Sequence, residues 1–185
     1  MTEKQKMLAG ELYYANDPEL AQARLHARRL CRRFNELPVD ASGDRVSLLG
    51  ELFGSCGENA WIEPDFRCDY GFNIHVEDDF YANFDCVILD VAQVHIGKNC
   101  FMAPQVGIYT ATHPLAHTQR DMGLESAKPV RIGESCWIGG HAVILPGVTL
   151  GDRVVVGAGA VVTKSFGDDV VIAGNPARVI KRLGE

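Results

Sequence analysis

The sequence lacks any apolar run near the roughly 20 residues that a membrane-spanning helix needs. Its first residues, MTEKQKMLAGELYY, also lack an apolar segment followed by a small-residue cleavage site. We therefore expect no membrane association and a cytoplasmic location. Positive charge is scarce as well, because 18 Lys and Arg face 24 Asp and Glu, for a formal net charge of -6. Nucleic acid binding needs a broad cationic face, so nucleic acid is not an expected partner.

The six cysteines include no CxxC pair. Without a secretory signal, we expect none of them to form a disulfide. Cys31 and Cys56 lie outside the repeat described below. The other four share its inward phase, where small core residues are expected: Cys68, Cys86, Cys100 and Cys136.

A six-residue repeat dominates residues 130–165, VRIGESCWIGGHAVILPGVTLGDRVVVGAGAVVTKS. Its aliphatic positions are Ile132, Ile138, Ile144, Leu150, Val156 and Val162. This period fits no amphipathic helix. A second apolar or small residue two positions earlier makes each hexad alternate like a short strand. Glycines follow several aliphatic positions and are expected to permit a bend there. The pattern predicts a β-helix of stacked coils.

The same phase recurs upstream at Ile96, Met102 and Ile108, and more weakly at Ile62, Cys68, Ile74, Phe80 and Cys86. The step from Cys86 to Ile96 is ten residues, so extra residues are expected in that turn. Between Ile108 and Ile132 the repeat stops, and the polar segment TATHPLAHTQRDMGLESAKP intervenes. A long excursion from a regular solenoid usually lies on the surface and often carries function.

The 185 residues, 46% of them apolar, suffice for one domain with a small appendage. We predict a helical cap over residues 1–56, the β-helix over 57–165 with its excursion at 110–129, and a C-terminal strand with a basic tail over 166–185. In the cap we expect a short helix over residues 3–14. A second helix should start at Asp17-Pro18 and end near Asn35 with a solvated basic face, and a third should be capped by Ser42 and closed by Gly54.

Several segments carry a family likeness: KMLAGELY, EPDFRCDYGFNI, FYANFDCVILD, TATHP, IGESCWIGGHAVILPGVTLG and AGNPARVIK. With them the chain resembles the hexapeptide-repeat acyltransferases over nearly its whole length, and within that family the sugar O-acetyltransferases of the maltose type. The resemblance implies a mainly β fold, a left-handed parallel β-helix. It also implies transfer of acetyl from acetyl-coenzyme A to a hydroxyl of a sugar such as maltose or glucose. The expected assembly is a homotrimer with active sites between subunits, and no metal is expected.

His113, at the start of the excursion, is the expected catalytic residue. A sugar hydroxyl is too weak an acid to attack a thioester at neutral pH, so the reaction needs a positioned base, and histidine titrates in the right range. The resemblance places the family's catalytic histidine at His113. His26, His117 and His141 are better explained as surface residues. Gly139-Gly140 is the candidate turn whose N–H groups would bind the oxyanion.

Three residues match acceptor-binding positions of the family, Asp17, Asp69 and Asn83, and Tyr81 is a further acceptor-binding candidate. Each has a structural alternative. Asp17 could serve only as a helix cap, Asp69 as a turn residue and Asn83 as support for a bend, while Tyr81 could stack on a sugar ring or merely pack.

Six residues match cofactor-binding positions of the family: Gly140, Ala158, Thr163, Lys164, Arg178 and Lys181. Trp137 is a further candidate, because its side chain is large and rigid. The phosphates of coenzyme A require donors and cations in a narrow groove. Gly140 can contribute only its main chain. Lys181 stands where a relative carries arginine, so Arg182 is an alternative phosphate ligand. Trp137 could pack along the cofactor or at a subunit boundary.

Three other functions remain open from the sequence. One is a galactoside or other carbohydrate O-acetyltransferase with the same fold. Another is a zinc enzyme of the γ carbonic anhydrase kind, which uses three histidines on such a β-helix. His75 and His95 should point outward, however, and no matched triad is found. The third is a non-catalytic sugar-binding scaffold, which would need neither His113 nor a basic tail.

Overall fold

The computed structural model describes residues 1–184. The predicted fold class is confirmed: the chain forms a left-handed parallel β-helix with an N-terminal helical cap and one long excursion. Over the described residues the helices are α1 (Glu3–Leu8), α2 (Pro18–Asn35), α3 (Ser42–Leu52) and α4 (His117–Asp121). Within residues 1–184 no helix has the length and apolar character to cross a membrane.

Each coil contributes short strands to three parallel sheets. Sheet I contains β2 (Ser55–Cys56), β5 (Ile74–Val76), β8 (Val94–Ile96), β13 (Val130–Ile132) and β16 (Thr149–Leu150). Sheet II contains β3 (Trp61–Ile62), β6 (Tyr81–Ala82), β9 (Phe101–Met102), β14 (Trp137–Ile138), β17 (Val155–Val156) and β19 (Val170–Ala173). Sheet III contains β4 (Arg67–Cys68), β7 (Val87–Leu89), β10 (Gly107–Tyr109), β15 (Val143–Ile144) and β18 (Val161–Val162).

The inward residues of the hexads stack into one continuous core. Ile138, for example, is fully buried and pairs with Met102 in the coil before it and Val156 in the coil after it. A single coil cannot bury this face alone, so each coil is stabilised by its neighbours. Cys56, expected outside the repeat, belongs to β2 and pairs with Val76.

Glycine is needed at the corners for a different reason from the one expected. A Cβ at Gly133 would lie 2.6 Å from the backbone carbon of Gly151 in the next coil, so only glycine lets the two coils approach. The left-handed backbone that turns the chain belongs instead to residues two positions later, among them Ser135 (φ 56°) and Arg153 (φ 57°).

The strand register shows where the early coils are longer. Val76 lies in register with Cys56 and with Ile96, at intervals of 20 residues, whereas Leu150 follows Ile132 by only 18. The extra residues therefore enter twice, once after β4 and once after β7.

The prediction that all the extra residues lie between Cys86 and Ile96 is therefore wrong. Ile88 is the residue aligned with Cys68, and it pairs with it directly. Cys86 is buried, but it fills the companion position two residues earlier.

Two helix boundaries predicted for the helical cap are wrong: the end of the first helix and the start of the third. The helix predicted over residues 3–14 stops at Leu8, and Gly10 adopts φ 75°. Tyr13–Tyr14 then form β1, which pairs antiparallel with β12 (Leu124–Ala127) of the excursion. β12 also pairs with β11 (Ala111–Thr112). The third helix is present, but Ala41 is its N-cap and Ser42 is its first residue, without a capping bond.

The predicted C-terminal strand is confirmed as β19, which extends sheet II by one more parallel strand. The residues after the Gly174-Asn175-Pro176 turn are not a free tail. They form β20 (Arg178–Arg182), which pairs antiparallel with β19 and is exposed along its length.

Candidate active site

All departures from the regular repeat occur at one corner of the solenoid, between sheet III and sheet I. Residues 69–73 link β4 to β5, residues 90–93 link β7 to β8, and residues 110–129 link β10 to β13. Because the coils are in register, these three linkers stack on one another. We call this corner edge III/I.

A buried carboxylate ties the first two linkers together. Asp90 is fully buried, and its Oδ1 accepts from the N–H groups of Asp69 (3.1 Å) and Tyr70 (2.9 Å). Its Oδ2 accepts from the N–H of Asn73 at 3.3 Å, and the Asn73 amide donates back to the Asp90 carbonyl at 2.8 Å. Burial raises the pKa of Asp90 to about 7, although the backbone donors favour the carboxylate. Asp90 thus fixes the position of Asp69.

Thr110 joins the third linker to the second. Its hydroxyl donates to the carbonyl of Leu89 at 2.7 Å and accepts from the N–H of Ala92 at 2.9 Å. The side chain is fully buried. The excursion therefore leaves the solenoid from a fixed point three residues before His113.

The helical cap closes this corner into a cavity of about 470 Å³. His113, Asp69 and Tyr70 come from the linkers, Glu125 from β12, and Arg24 and Arg28 from α2. Two predicted site residues, His113 and Asp69, are thus brought together. The cavity is rich in hydrogen-bonding groups, as recognition of a polyhydroxylated ligand requires.

His113 faces a carboxylate that the sequence did not indicate. Its Nε2 lies 3.9 Å from Oε1 of Glu125, and the other carboxylate oxygen accepts from the Tyr13 hydroxyl at 2.7 Å. Tyr13 is almost fully buried, and burial together with this hydrogen bond raises its pKa, so it remains a neutral donor. The half-exposed imidazole, the carboxylate and the phenol form a chain in which each group orients the next.

Arg24 lies on the opposite wall. Its guanidinium donates to the Tyr70 hydroxyl at 2.7 Å and to the carbonyl of Ala15 at 2.6 Å. The expectation of a solvated basic face on α2 is therefore wrong for Arg24. Burial raises the pKa of Asp69, and the nearby Arg24 opposes this effect. Arg24 and Asp69 thus present a guanidinium group and a carboxyl group to the same cavity.

Asp17 is the N-cap of α2, which is the structural role considered for it in the sequence analysis. Its Oδ1 accepts from the N–H groups of Glu19 (3.0 Å) and Leu20 (3.4 Å). Its neighbours Ala15 and Asn16 line the cavity. The predicted contact of Asp17 with an acceptor stays a prediction.

Tyr81, Asn83 and Trp137 lie elsewhere, in an open groove of about 420 Å³ on the outer face of sheet II. The Trp137 and Phe101 side chains are 56% and 52% exposed, which is unusual for large apolar groups. Asn83 follows β6, and its Oδ1 accepts from the N–H of Phe84 at 2.8 Å. The groove is apolar where the first cavity is polar.

Asn83 begins a line of corner residues between sheet II and sheet III, which we call edge II/III. Gly140 and Ala158 occupy the equivalent turns of later coils, after β14 and β17. The N–H of Gly139 already donates to the Val156 carbonyl at 2.8 Å, so it is not available for an oxyanion. The N–H of Gly140 makes no hydrogen bond within residues 1–184. Only Gly140 fits the predicted main-chain role.

The remaining predicted cofactor residues lie near the C-terminal end of the solenoid. Thr163 and Lys164 follow β18 at edge III/I and are exposed, and the Lys164 ammonium lies 5.6 Å from the centre of the Phe166 ring. Arg178, Lys181 and Arg182 lie on the exposed strand β20. These cations line neither the cavity that holds His113 nor the groove that holds Trp137.

The candidate residues are therefore divided between two edges of the same chain. Asn83, Gly140 and Ala158 are on edge II/III, whereas Asp69, His113 and Lys164 are on edge III/I, with sheet III between them. Each edge holds predicted acceptor residues and predicted cofactor residues.

His75 and His95 are the two histidines that were considered above for a zinc site. They stack on the outer face of sheet I with ring centres 4.6 Å apart. Among residues 1–184 no group of three His, Cys, Asp or Glu side chains is placed to bind a metal ion.

Comparison with known proteins gives two family matches. A model described as the maltose acetyltransferase hexapeptide capping motif matches residues 6–57, and one described as the hexapeptide repeat of succinyl-transferase matches residues 129–164. The chain is 42% identical to galactoside O-acetyltransferase of Escherichia coli strain K12, over 100% of this chain and 90% of that protein.

Two solved structures match over the whole chain. A maltose O-acetyltransferase from Clostridium difficile 630 gives a TM-score of 0.98 at 50% identity, covering 100% of this chain and 99% of that one. A galactoside acetyltransferase in complex with coenzyme A gives a TM-score of 0.96 at 41% identity, covering 100% and 92%.

Proposed function

The chain belongs to the hexapeptide-repeat acetyltransferase family that includes the galactoside and maltose O-acetyltransferases, and from this premise we propose that it transfers acetyl from acetyl-coenzyme A to a hydroxyl of a sugar such as maltose or glucose. A galactoside or another carbohydrate is the alternative acceptor. The observation that carries the proposal is the polar cavity at edge III/I, where His113 lies against Glu125 beside the hydrogen-bonding groups of Arg24, Asp69 and Tyr70.

In the proposed reaction His113 is the general base. Its Nε2 faces Glu125, which leaves Nδ1 to accept the proton of the acceptor hydroxyl. The sugar oxygen attacks the thioester carbonyl carbon, and the N–H of Gly140 donates to the resulting oxyanion. When the C–S bond breaks, the imidazolium returns its proton to the thiolate of coenzyme A. Glu125 stabilises the imidazolium while it exists.

Asp69 and Asp17 bind acceptor hydroxyls from edge III/I and the cap, and Tyr81 and Asn83 contact the acceptor from edge II/III. Trp137 packs along the donor, whose phosphates are held by the cationic end of the solenoid. The donor-binding set is Trp137, Gly140, Ala158, Thr163, Lys164, Arg178 and Lys181, with Arg182 as an alternative to Lys181. These roles rest on the family's matching positions and, for Tyr81 and Trp137, on their placement in the groove beside Asn83.

The working form is proposed to be a homotrimer. In a trimer with cyclic symmetry, edge II/III of each subunit can face edge III/I of the next, which brings Asn83 and Trp137 to His113. This arrangement also covers the exposed Trp137 and Phe101 side chains. All six cysteines are free thiols, which agrees with a reducing compartment such as the cytoplasm.

The test of this function is the release of coenzyme A thiol from acetyl-coenzyme A in the presence of glucose, maltose or a β-galactoside. We expect release to depend on the sugar, and the acceptor with the highest kcat/KM to identify the substrate class. If no sugar increases the rate above that with water alone, the acceptor class is wrong.

Glu125→Gln is expected to lower kcat by about 10- to 100-fold with little change in the KM for acetyl-coenzyme A. The loss is smaller than the roughly 10⁴-fold caused by neutralising a fully buried orienting carboxylate, because the 3.9 Å contact is partly exposed. Steady-state kinetics with saturating sugar measures it.

Tyr13→Phe is the matched control for this prediction. It removes the hydroxyl that donates to Glu125 but keeps the carboxylate, so it should cost less activity than Glu125→Gln. Equal kcat values for wild type and Glu125→Gln would show that the carboxylate has no part in the reaction.

A further inference from the structure

A cavity larger than the one at edge III/I lies outside the candidate active site. Its volume is about 580 Å³, and it opens between helix α2 and strand β4. Three arginines line it, Arg28, Arg32 and Arg67, and Cys31 and Cys68 lie at its inner wall. The proposed reaction uses neither cysteine.

The two cysteines form a close thiol pair. Cys31 comes from α2 and Cys68 from β4, and their sulfur atoms are 3.7 Å apart, with one thiol donating to the other. Both side chains are buried but border the cavity, so a small molecule that enters it can reach them. The hydrogen bond from Cys68 lowers the pKa of the Cys31 thiol, and the Arg67 guanidinium acts in the same direction. Either sulfur can donate in this bond, and the Arg67 guanidinium favours Cys31 as the thiolate of the pair.

We propose that Cys31 and Cys68 are a site of reversible oxidation, at which a hydroperoxide converts the thiol pair into a disulfide that joins the helical cap to the β-helix. The Cys31 thiolate attacks the peroxide, an S–O bond forms, and the O–O bond breaks to release water or an alcohol. Cys68 then attacks the sulfenic sulfur and displaces water. Two electrons pass from the thiols to one peroxide molecule, which accounts for the oxidant.

The cross-link would act on the candidate active site because both cysteines adjoin it. Cys68 directly precedes Asp69, and Cys31 lies one helical turn after Arg28, which lines both cavities. A disulfide requires the sulfurs to approach by about 1.7 Å from their present separation. That movement changes the spacing between α2 and the linker that carries Asp69. This consequence rests on the proposed function, whereas the cross-link itself does not.

The test is to treat the native protein with hydrogen peroxide, denature it and count its free thiols. Six thiols are free in the reduced protein, and we expect four after oxidation. The intact mass should fall by two hydrogens, and peptide mapping should join the segments that carry Cys31 and Cys68. Dithiothreitol should restore the thiols. Cys31→Ser and Cys68→Ser should keep all of their remaining thiols under the same treatment.

An unchanged thiol count in wild type, or an equal loss in both serine variants, would overturn the proposal. Because mapping is done on wild type, misfolding of a variant cannot hide either result. For the acceptor we expect kcat/KM to fall on oxidation by up to about 100-fold, the scale of an ångström-sized misplacement. The Kd of coenzyme A, measured by calorimetry, should stay the same. A correct cross-link without this fall would refute the coupling to the acceptor site while leaving the disulfide established.

Discussion

His113→Ala is expected to lower kcat by about 10²- to 10⁴-fold and to leave the affinity for acetyl-coenzyme A unchanged. The substitution removes the proposed base, and general base catalysis contributes on this scale. The side chain is half-exposed, so folding should not suffer. Thiol release at saturating sugar gives kcat, and calorimetry gives the donor affinity.

His117→Ala is the matched control, because His117 lies on the same excursion and its nearest charged partner is Asp121 on the same short helix. It should retain wild-type turnover. If His113→Ala also retains it, another group is the base.

A mixing experiment extends this prediction to the assembly. Asn83→Ala and His113→Ala should each be nearly inactive alone, because they disable opposite edges. In trimers formed by refolding an equal mixture, about a quarter of the sites would combine an intact edge from each parent. Recovery of about that fraction of activity would require sites between subunits. If mixed assemblies form and no activity returns, each site lies within one chain.

Asp90→Asn is expected to change how stability depends on pH. The folded-state pKa of Asp90, about 7, lies above the ordinary value of 3.8, so the folded protein holds this proton more tightly than the unfolded chain does. Asp90 therefore favours folding below about pH 4, and its contribution is lost as the pH rises towards 7. In that window the contribution of Asp90 to the free energy of unfolding falls by up to about 1.4 kcal/mol for each pH unit.

Chemical denaturation of wild type and Asp90→Asn at several pH values, at one protein concentration, measures the difference in slope. The slope of wild type should be more negative than that of the variant between about pH 4 and pH 7. Asp40→Asn, at an exposed position, should follow wild type. Parallel curves for wild type and Asp90→Asn would assign the pH dependence to other groups.

Asp90→Ala should cost about 3–5 kcal/mol, since it leaves the N–H groups of Asp69, Tyr70 and Asn73 without their buried acceptor. Thermal and chemical unfolding of the same preparations gives this value.

The hexad period was sufficient to predict the solenoid, because burial against neighbouring coils requires an inward side chain such as Ile138 at every sixth position. It could not place the insertions, since Cys86 and Ile88 are both apolar and both buried. Only the pairing of Ile88 with Cys68 shows which of them is aligned.

The candidate base was predicted from its motif, but its partner was not. Glu125 follows His113 by twelve residues on the other strand of the excursion, and only the antiparallel pairing of β11 with β12 brings them together. Arg24 was missed for a similar reason. Its partner Tyr70 lies 46 residues away in the sequence. The charged residues of α2 suggest a solvated face, so the sequence does not indicate that Arg24 lines a cavity.

The stacking of coils along edge II/III also fixes the length of this edge. From Asn83 to the turn after β19 the chain climbs four strand spacings, about 19 Å, through backbone hydrogen bonds that allow little stretch. If the donor-binding residues are those proposed above, a linear donor laid along this edge would have to match that length, with its reactive end at Asn83 and its charged end at β20. The number of coils, and not the shape of any one pocket, then sets how long a donor arm the protein can use.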